Sequence, residues 1–129
     1  MTTKKELIKI LLVEDDQLIA DMYQARLTEE GFKVFWTAIG SEGLKIAATE
    51  QPDIVLLDVI LPEMDGFTIL NELKAKADTK NIPVVLLTNL GQDSDLTKGK
   101  QLGAQEYLVK ASFTPTQIVE EIKKVLKIN

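Results

Sequence analysis

The sequence predicts a doubly wound α/β fold, and three observations support this prediction. Short apolar runs recur at regular intervals along the 129 residues. Between them lie longer segments whose apolar residues have the spacing of amphipathic helices. Glycine and proline mark many of the boundaries. Because near-continuous apolar strands that alternate with helices form parallel sheets with right-handed crossovers, we expect a five-stranded parallel sheet with helices on both faces.

Each strand candidate is a short apolar run, as is typical of a strand buried on both faces. Phe35 and Trp36, in the second run, are expected to be covered strand residues without a ligand role. The five candidates are Ile10 to Val13, Val34 to Trp36, Ile54 to Leu57, Val84 to Leu87 and Tyr107 to Val109.

Helical periodicity is clearest in three of the intervening segments. Asp16 and Asp65 are predicted to cap the first and third helices, and Thr114 followed by Pro115 is typical of the start of the last one. Gly31 follows the first predicted helix. The apolar positions are Leu18, Ile19, Met22, Ala25 and Leu27; Leu44, Ile46 and Ala47; and Ile118, Val119, Ile122, Val125 and Leu126.

The predicted elements occupy nearly the whole chain, without an internal repeat, a low-complexity tract or a linker. We therefore expect one domain over residues 1–129, with a core from about 9 to 126. The longest apolar runs are only a few residues, and the start MTTKKELIK has no apolar segment of signal-peptide length. A soluble, cytoplasmic protein is expected.

Composition excludes several kinds of chemistry. The chain has no cysteine and no histidine, which rules out disulfides, thiolate nucleophiles, histidine bases and the usual zinc ligands within it. Its net charge is −5 with no dense basic patch, so direct attraction to nucleic acid or to an anionic membrane is not favoured. Carboxylates, lysines and hydroxyls remain.

Polar residues stand where four of the predicted strands end. Glu14 and Asp15 follow the first strand, Asp58 the third, Thr88 the fourth and Lys110 the fifth. In open parallel sheets, ligands bind at the carboxyl ends of the strands. If the first and third strands are neighbours, the three carboxylates converge and repel one another unless a cation is bound. A few carboxylates together with waters and phosphate oxygens are the ligands that Mg²⁺ prefers.

Asp58 directly follows a buried apolar run, where an uncompensated charge costs several kcal/mol. A bound magnesium ion would remove that cost. A carboxylate held beside the metal can attack phosphorus, with Lys110 neutralising phosphoryl charge and Thr88 donating a hydrogen bond. The product would be an aspartyl phosphate.

Four motifs, LLVEDD, LLDVILPEMDG, Thr88 after VVLL, and YLVK, resemble the receiver domain of two-component response regulators, close to the single-domain chemotaxis type. The resemblance extends from Lys9 to Leu126, and the four motifs in this order and spacing are highly specific. It implies the flavodoxin-like strand order 2-1-3-4-5.

The resemblance also implies a metal site and an acceptor. Asp58 would be the phosphoacceptor and a magnesium ligand. Asp15 would bind Mg²⁺ directly, Glu14 mostly through a water, and the backbone carbonyl of Ile60 would be a further protein ligand.

A phosphate-binding group and a switch follow from the same resemblance. Thr88 and Lys110 would hold the phosphoryl group, and Asn89 could add a donor to it. Tyr107 would be the aromatic switch residue, which swings inward as Thr88 moves toward the phosphate.

The implied partners are a sensor histidine kinase or a histidine phosphotransfer protein as donor, and a downstream protein target. A homodimer through the face formed by the fourth helix, the fifth strand and the fifth helix is also expected. Direct contact with nucleic acid or with a membrane is not expected. The chain would catalyse only its own phosphorylation and slow dephosphorylation, and would not be a conventional turnover enzyme.

The sequence departs from the family pattern at several positions. Ala111 stands where a proline, often in a cis bond, commonly follows the lysine, so either the peptide is trans and the loop differs, or strain is held locally. Ile60 and Leu90 occupy positions where many relatives have polar groups that hold the attacking water. We therefore expect slow dephosphorylation.

Two alternative functions are less well supported by the sequence. A binding module that signals without phosphorylation would not need the intact set of Asp15, Asp58, Thr88 and Lys110. A flavin carrier would need a glycine- or hydroxyl-rich phosphate loop where the acidic run EDD stands. An aspartyl-phosphate phosphatase would have an acid at position 60.

Overall fold

The computed structural model describes residues 7–89 and 93–129. In this part of the chain five strands alternate with five α-helices, and a one-turn 3₁₀ helix (Lys110–Ser112) follows the last strand. The strands are β1 (Lys9–Val13), β2 (Lys33–Thr37), β3 (Ile54–Asp58), β4 (Val84–Thr88) and β5 (Glu106–Val109). The helices are α1 (Gln17–Glu29), α2 (Gly40–Glu50), α3 (Gly66–Ala75), α4 (Asp93–Gln101) and α5 (Pro115–Leu126).

The strands form one parallel sheet in the order β2-β1-β3-β4-β5, as the resemblance implied. β1 and β3 are therefore neighbours, which was the condition for convergence of the acidic residues. Strand order reverses between them, because β1 pairs with β2 on one side and with β3 on the other. The site is expected at the carboxyl edge of these two strands.

Alternate residues of each strand face two separate hydrophobic layers. Ile10 and Leu12 of β1 belong to the layer that contains the buried residues of α1 and α5. Leu11 and Val13 belong to the layer that contains those of α2 and α3. Burial on both faces explains why the strands are continuous apolar runs instead of alternating ones.

The predicted helix starts are confirmed. The Asp16 carboxylate accepts hydrogen bonds from the backbone N–H groups of Leu18 and Ile19, and the Asp65 carboxylate accepts one from Thr68. Thr114 forms a capping box with Gln117 at the start of α5. No helix in residues 7–89 and 93–129 has the length and apolar character needed to cross a membrane.

All five strands extend beyond their apolar runs, and in β3 and β4 the added residue is a predicted site residue. Asp58 and Thr88 were expected just after their strands, but they are the last residues of β3 and β4 and pair with Leu87 and Val109. The Lys110–Ala111 peptide is trans, since no cis bond occurs within the described ranges. Ala111 lies in the one-turn helix, so the loop conformation accommodates this departure.

Candidate functional site

The predicted acidic residues converge at the carboxyl edge of the sheet. One carboxylate oxygen from each of Glu14, Asp15 and Asp58 lies within 4.8 Å of the other two. Glu14 and Asp58 are buried, whereas Asp15 is exposed. The group therefore has two carboxylates fixed in the protein and one on its solvent side.

Lys110 lies against the two buried carboxylates. Its ammonium nitrogen is 2.5 Å from Glu14 Oε1 and 3.0 Å from Asp58 Oδ2. Burial alone would lower the pKa of Lys110, but these two partners outweigh burial and the pKa lies above its usual value. Lys110 therefore stays charged at neutral pH and joins the end of β5 to the ends of β1 and β3.

Glu14 is fully buried, and its side chain has two partners. One carboxylate oxygen accepts from Lys110, and Oε2 accepts from the backbone N–H of Asp16 at 3.0 Å. Burial raises the pKa of Glu14 above its ordinary value, although both hydrogen bonds oppose this shift. The ionised form of Glu14 thus depends on neighbouring positive charge.

Asp58 is held close to the start of α3. Its Oδ1 accepts from the backbone N–H of Ile60 at 3.2 Å. Gly66 is the first residue of α3, and a Cβ added there would lie 2.4 Å from the Asp58 carbonyl oxygen and 2.8 Å from the Val59 Cα. Only a residue without a side chain allows this approach. The sequence predicted Asp65 as a helix cap, but it gave no sign of this role for Gly66.

Thr88 and Tyr107 lie on the neighbouring strands β4 and β5, and neither is among the residues that line the cleft beside the carboxylates. Thr88 is buried at the end of β4, and a side-chain hydrogen bond joins it to Tyr107 on β5. Burial raises the pKa of the Tyr107 hydroxyl, and the bond to Thr88 opposes that shift. The two residues predicted to act together as a switch are therefore in direct contact.

A cleft of about 290 Å³ opens over the carboxylates. Ile60 and Asn89 line it, and Ile60 is 59% exposed. Leu90, the other residue predicted to affect dephosphorylation, lies outside the described residues. The full lining consists of Glu14, Asp15, Asp16, Ile19, Asp58, Ile60, Asn89 and Lys110.

A larger cleft of about 490 Å³ lies elsewhere on the protein. Its lining includes Ile8, Phe32, Lys123 and Asn129, and none of the predicted site residues. The smaller of these two clefts is therefore the one lined by the predicted site residues.

The donor set fits a hard divalent cation. The three carboxylates and one ammonium leave a formal charge of −2 when all are ionised. Carboxylate oxygens beside an open cleft leave room for the waters that Mg²⁺ retains. Asp15 lies at the exposed side, where such a hydrated ion can enter.

The profile of the response regulator receiver domain family matches residues 10–123. The chain belongs to this family. A probable transcriptional regulator, ycf27, of Porphyra purpurea is 37% identical to this receiver domain over 127 residues, which are 98% of the chain and 50% of the relative. The chain thus spans about half the length of the curated relatives it matches.

Solved receiver structures share the fold of this receiver domain. A response regulator of Chloroflexus aurantiacus superposes with a TM-score of 0.88 at 33% identity, covering 95% of this chain and 99% of the other. The receiver domain of a sensor histidine kinase from Pseudomonas aeruginosa superposes with a TM-score of 0.86 at 26% identity, covering 95% and 99%. That domain has a magnesium ion coordinated in its active site cleft.

Proposed function

We propose that this receiver domain accepts a phosphoryl group on Asp58 in a magnesium-dependent reaction and so switches its binding to other proteins. The observation that supports the proposal best is the convergence of Glu14, Asp15 and Asp58 within 4.8 Å at the edge of an open cleft. The placement of Lys110 against Asp58 gives independent support. Residues 1–129 are proposed to form one receiver domain.

The proposed metal ligands are the carboxylates of Asp15 and Asp58 and the backbone carbonyl of Ile60, with Glu14 acting mostly through a water. When bound, Mg²⁺ would neutralise negative charge on the carboxylates and on the phosphoryl oxygens. The cluster's formal charge of −2 makes such a cation the natural counterion.

Asp58 is the proposed nucleophile. An oxygen of its carboxylate attacks phosphorus, an O–P bond forms, and the N–P bond of a phosphohistidine donor breaks and leaves its electron pair on the imidazole. Asp58 is 5% exposed but lines the cleft, so the donor reaches it from one direction. Exclusion of bulk water on the other sides favours transfer over hydrolysis.

Lys110 and Thr88 are proposed to hold the transferred group. The Lys110 ammonium already donates a hydrogen bond to Asp58. It therefore needs to move only a short distance to donate to an oxygen of a phosphoryl group on Asp58. Thr88 is the last residue of β4, which lies next to the strand that carries Asp58. Its hydroxyl hydrogen can be donated to a phosphoryl oxygen. Asn89 lines the cleft and can supply another donor.

The output is proposed to pass through Thr88 and Tyr107. A phosphoryl group on Asp58 adds charge and acceptor oxygens. If Thr88 turns toward it, the hydrogen bond with Tyr107 must change, and the ring can move relative to α4. Surfaces on α4, β5 and α5 would then bind a downstream protein, or a second copy of the chain, differently.

The proposed donor is a sensor histidine kinase or a histidine phosphotransfer protein in the cytoplasm, where the ATP that charges such a kinase is available. The domain would catalyse only its own phosphorylation and slow dephosphorylation. Neither direct nucleic-acid contact nor a membrane is required for this role, since the partner surface is a protein.

Acetyl phosphate and intact-mass spectrometry test the proposal. Wild-type protein with Mg²⁺ should gain one phosphoryl mass, and the gain should disappear with a metal chelator and in Asp58→Asn. Asp65→Asn is the matched control, because Asp65 is an acid in the same loop that caps α3 and lies outside the cleft lining. Equal phosphorylation of wild type and Asp58→Asn would overturn the assignment of the acceptor.

A further inference from the structure

Trp36, the one tryptophan of the chain, is bonded to the acidic turn after β1. It is the penultimate residue of β2, and its indole Nε1–H donates to the backbone carbonyl oxygen of Glu14 at 2.8 Å. None of the motifs that identify the site includes this residue. The contact connects an aromatic side chain in one strand to the main chain of the residue that precedes Asp15.

The indole N–H takes the place of a backbone donor at the Glu14 carbonyl, because the β1–β2 ladder ends before it would supply one. In the β1–β2 register, Glu14 would stand opposite residue 38, and its N–H donates to the Thr37 carbonyl at 3.1 Å. A continuing parallel ladder would bring the N–H of Ile39 to the Glu14 carbonyl. The N–H of Ile39 instead bonds the Thr37 hydroxyl at 3.1 Å, where β2 turns into α2. The Glu14 carbonyl is thereby left for Trp36.

Trp36 is well placed to hold that carbonyl still. Its ring is partly buried and packs against the hydrophobic layer that includes Leu12 and Tyr23. Because both backbone polar groups of Glu14 bond to β2, the peptide plane that leads into Asp15 has a fixed orientation. A buried carbonyl without this partner would be free to rotate toward another donor.

We propose that Trp36 is a positioning residue for the metal site: its indole N–H orients the Glu14–Asp15 peptide so that both carboxylates face the cleft. The metal-dependent part of this inference rests on the proposed function. Removing the N–H should loosen the acidic turn, weaken magnesium binding and leave the fold intact. Trp36 itself is not among the residues that line the cleft.

The first test uses the metal-free protein and two variants of β2. Trp36→Phe keeps an aromatic ring but lacks the N–H donor. Phe35→Leu removes an aromatic ring from the adjacent position, which packs against the opposite layer of the sheet. Amide hydrogen exchange of Glu14 and Asp16, measured by NMR and normalised to global stability, should accelerate several-fold in Trp36→Phe only. Equal exchange in the two variants would overturn the proposal.

The second test is a magnesium titration followed by backbone amide shifts. Trp36→Phe should raise the dissociation constant about fivefold relative to wild type, the loss expected when one ordinary hydrogen bond no longer orients the turn. Phe35→Leu should change it less than twofold. In wild type, the indole N–H resonance should shift on metal binding, and Asp58→Ala should abolish that shift. An unchanged dissociation constant in Trp36→Phe would contradict the positioning role.

The two tests separate failure of the proposal from failure of the proposed function. If wild-type protein bound no magnesium at the cleft, the metal site would be wrong, while the exchange of Glu14 and Asp16 would still decide whether Trp36 orders the turn. If magnesium bound but Trp36→Phe behaved like Phe35→Leu in both measurements, only the positioning role would fail.

Discussion

Lys110 Nζ lies 3.0 Å from Asp58 Oδ2, and the same ammonium contacts the carboxylate of Glu14. All three side chains are buried. One lysine therefore neutralises part of the negative charge of two carboxylates, one just after β1 and one at the end of β3. Lys110 thereby supplies part of the positive charge that we propose Mg²⁺ to add in the reactive state. Removal of Lys110 should consequently affect stability and chemistry in different ways.

Lys110→Met should lower the free energy of unfolding of metal-free protein by about 3 kcal/mol, because two buried carboxylates lose their cation. Saturating Mg²⁺ should restore part of this loss, and magnesium affinity should rise because a competing positive charge is gone. Phosphorylation by acetyl phosphate should nevertheless slow by about tenfold or more, because a group that binds the phosphoryl oxygens is missing. Urea denaturation with and without Mg²⁺, together with intact-mass kinetics, measures these effects.

Lys45→Met is the control for this variant, since Lys45 is exposed on α2. It should change none of the three quantities appreciably. Weaker magnesium binding in Lys110→Met would show that Lys110 organises the metal site and does not compete with the metal.

Gly66→Ala should destabilise the protein by about 1–3 kcal/mol, because the new Cβ would overlap the backbone of Asp58 and Val59. The strand end that carries Asp58 must then shift, so phosphorylation should slow as well. Thr68→Ala is the control, since Thr68 is exposed on the same helix. Thermal unfolding and phosphorylation rates measure both effects, and wild-type behaviour of Gly66→Ala would refute the close approach.

Ile60→Asn should accelerate loss of the phosphoryl group by about tenfold, because an amide at the cleft can orient a water toward phosphorus where an exposed isoleucine cannot. The wild-type aspartyl phosphate should accordingly persist for minutes or longer in Mg²⁺. Ile39→Asn makes the same change at an exposed isoleucine outside the cleft lining and should have no effect. A wild-type half-life of seconds without a phosphatase would contradict this prediction.

The pH dependence of stability should include a contribution from Glu30. Hydrogen bonds from Lys123 and then Arg26 hold the pKa of this carboxyl below its ordinary value of 4.5. A carboxyl whose pKa is lower in the folded state stabilises the fold above its unfolded pKa and loses that effect as pH falls through the folded value. Glu30→Gln should therefore lower the urea midpoint at pH 7, and the difference from wild type should vanish at strongly acidic pH.

Glu29→Gln provides the comparison for Glu30→Gln. Its side chain is 77% exposed and its carboxylate lies 3.8 Å from the Arg26 guanidinium. Such an exposed pair contributes little to stability. A Glu29→Gln effect as large as that of Glu30→Gln would mean that the stabilisation does not come specifically from the ion pairs of Glu30 with Arg26 and Lys123.

Most of the fold could be predicted because burial on both faces leaves a local trace in the sequence. Every strand appears as an apolar run, and the capping residues Asp16, Asp65 and Thr114 mark helix starts by local hydrogen bonding. The ends of the strands were predicted less accurately. Asp58 and Thr88 continue the ladder despite their polarity, because backbone pairing does not depend on the polarity of the side chain.

The convergence of the acidic residues and Lys110 was predictable, whereas their contacts with Trp36 and Gly66 were not. Glu14, Asp58 and Lys110 could be expected at one edge because strand order brings the strand ends together. The bond from Trp36 to Glu14 depends on how β2 turns into α2, and the contact of Gly66 with Asp58 depends on the path of a loop. Neither leaves a periodic pattern in the sequence.

The central claim is that carboxylates from separate strand ends share one cation beside Asp58. Anomalous diffraction from crystals soaked in Mn²⁺, a stand-in for Mg²⁺, tests it most directly. We predict a single strong peak within about 2.5 Å of the carboxylate oxygens of Asp15 and Asp58. A peak elsewhere on the protein, or an empty cleft at saturating Mn²⁺, would contradict the account.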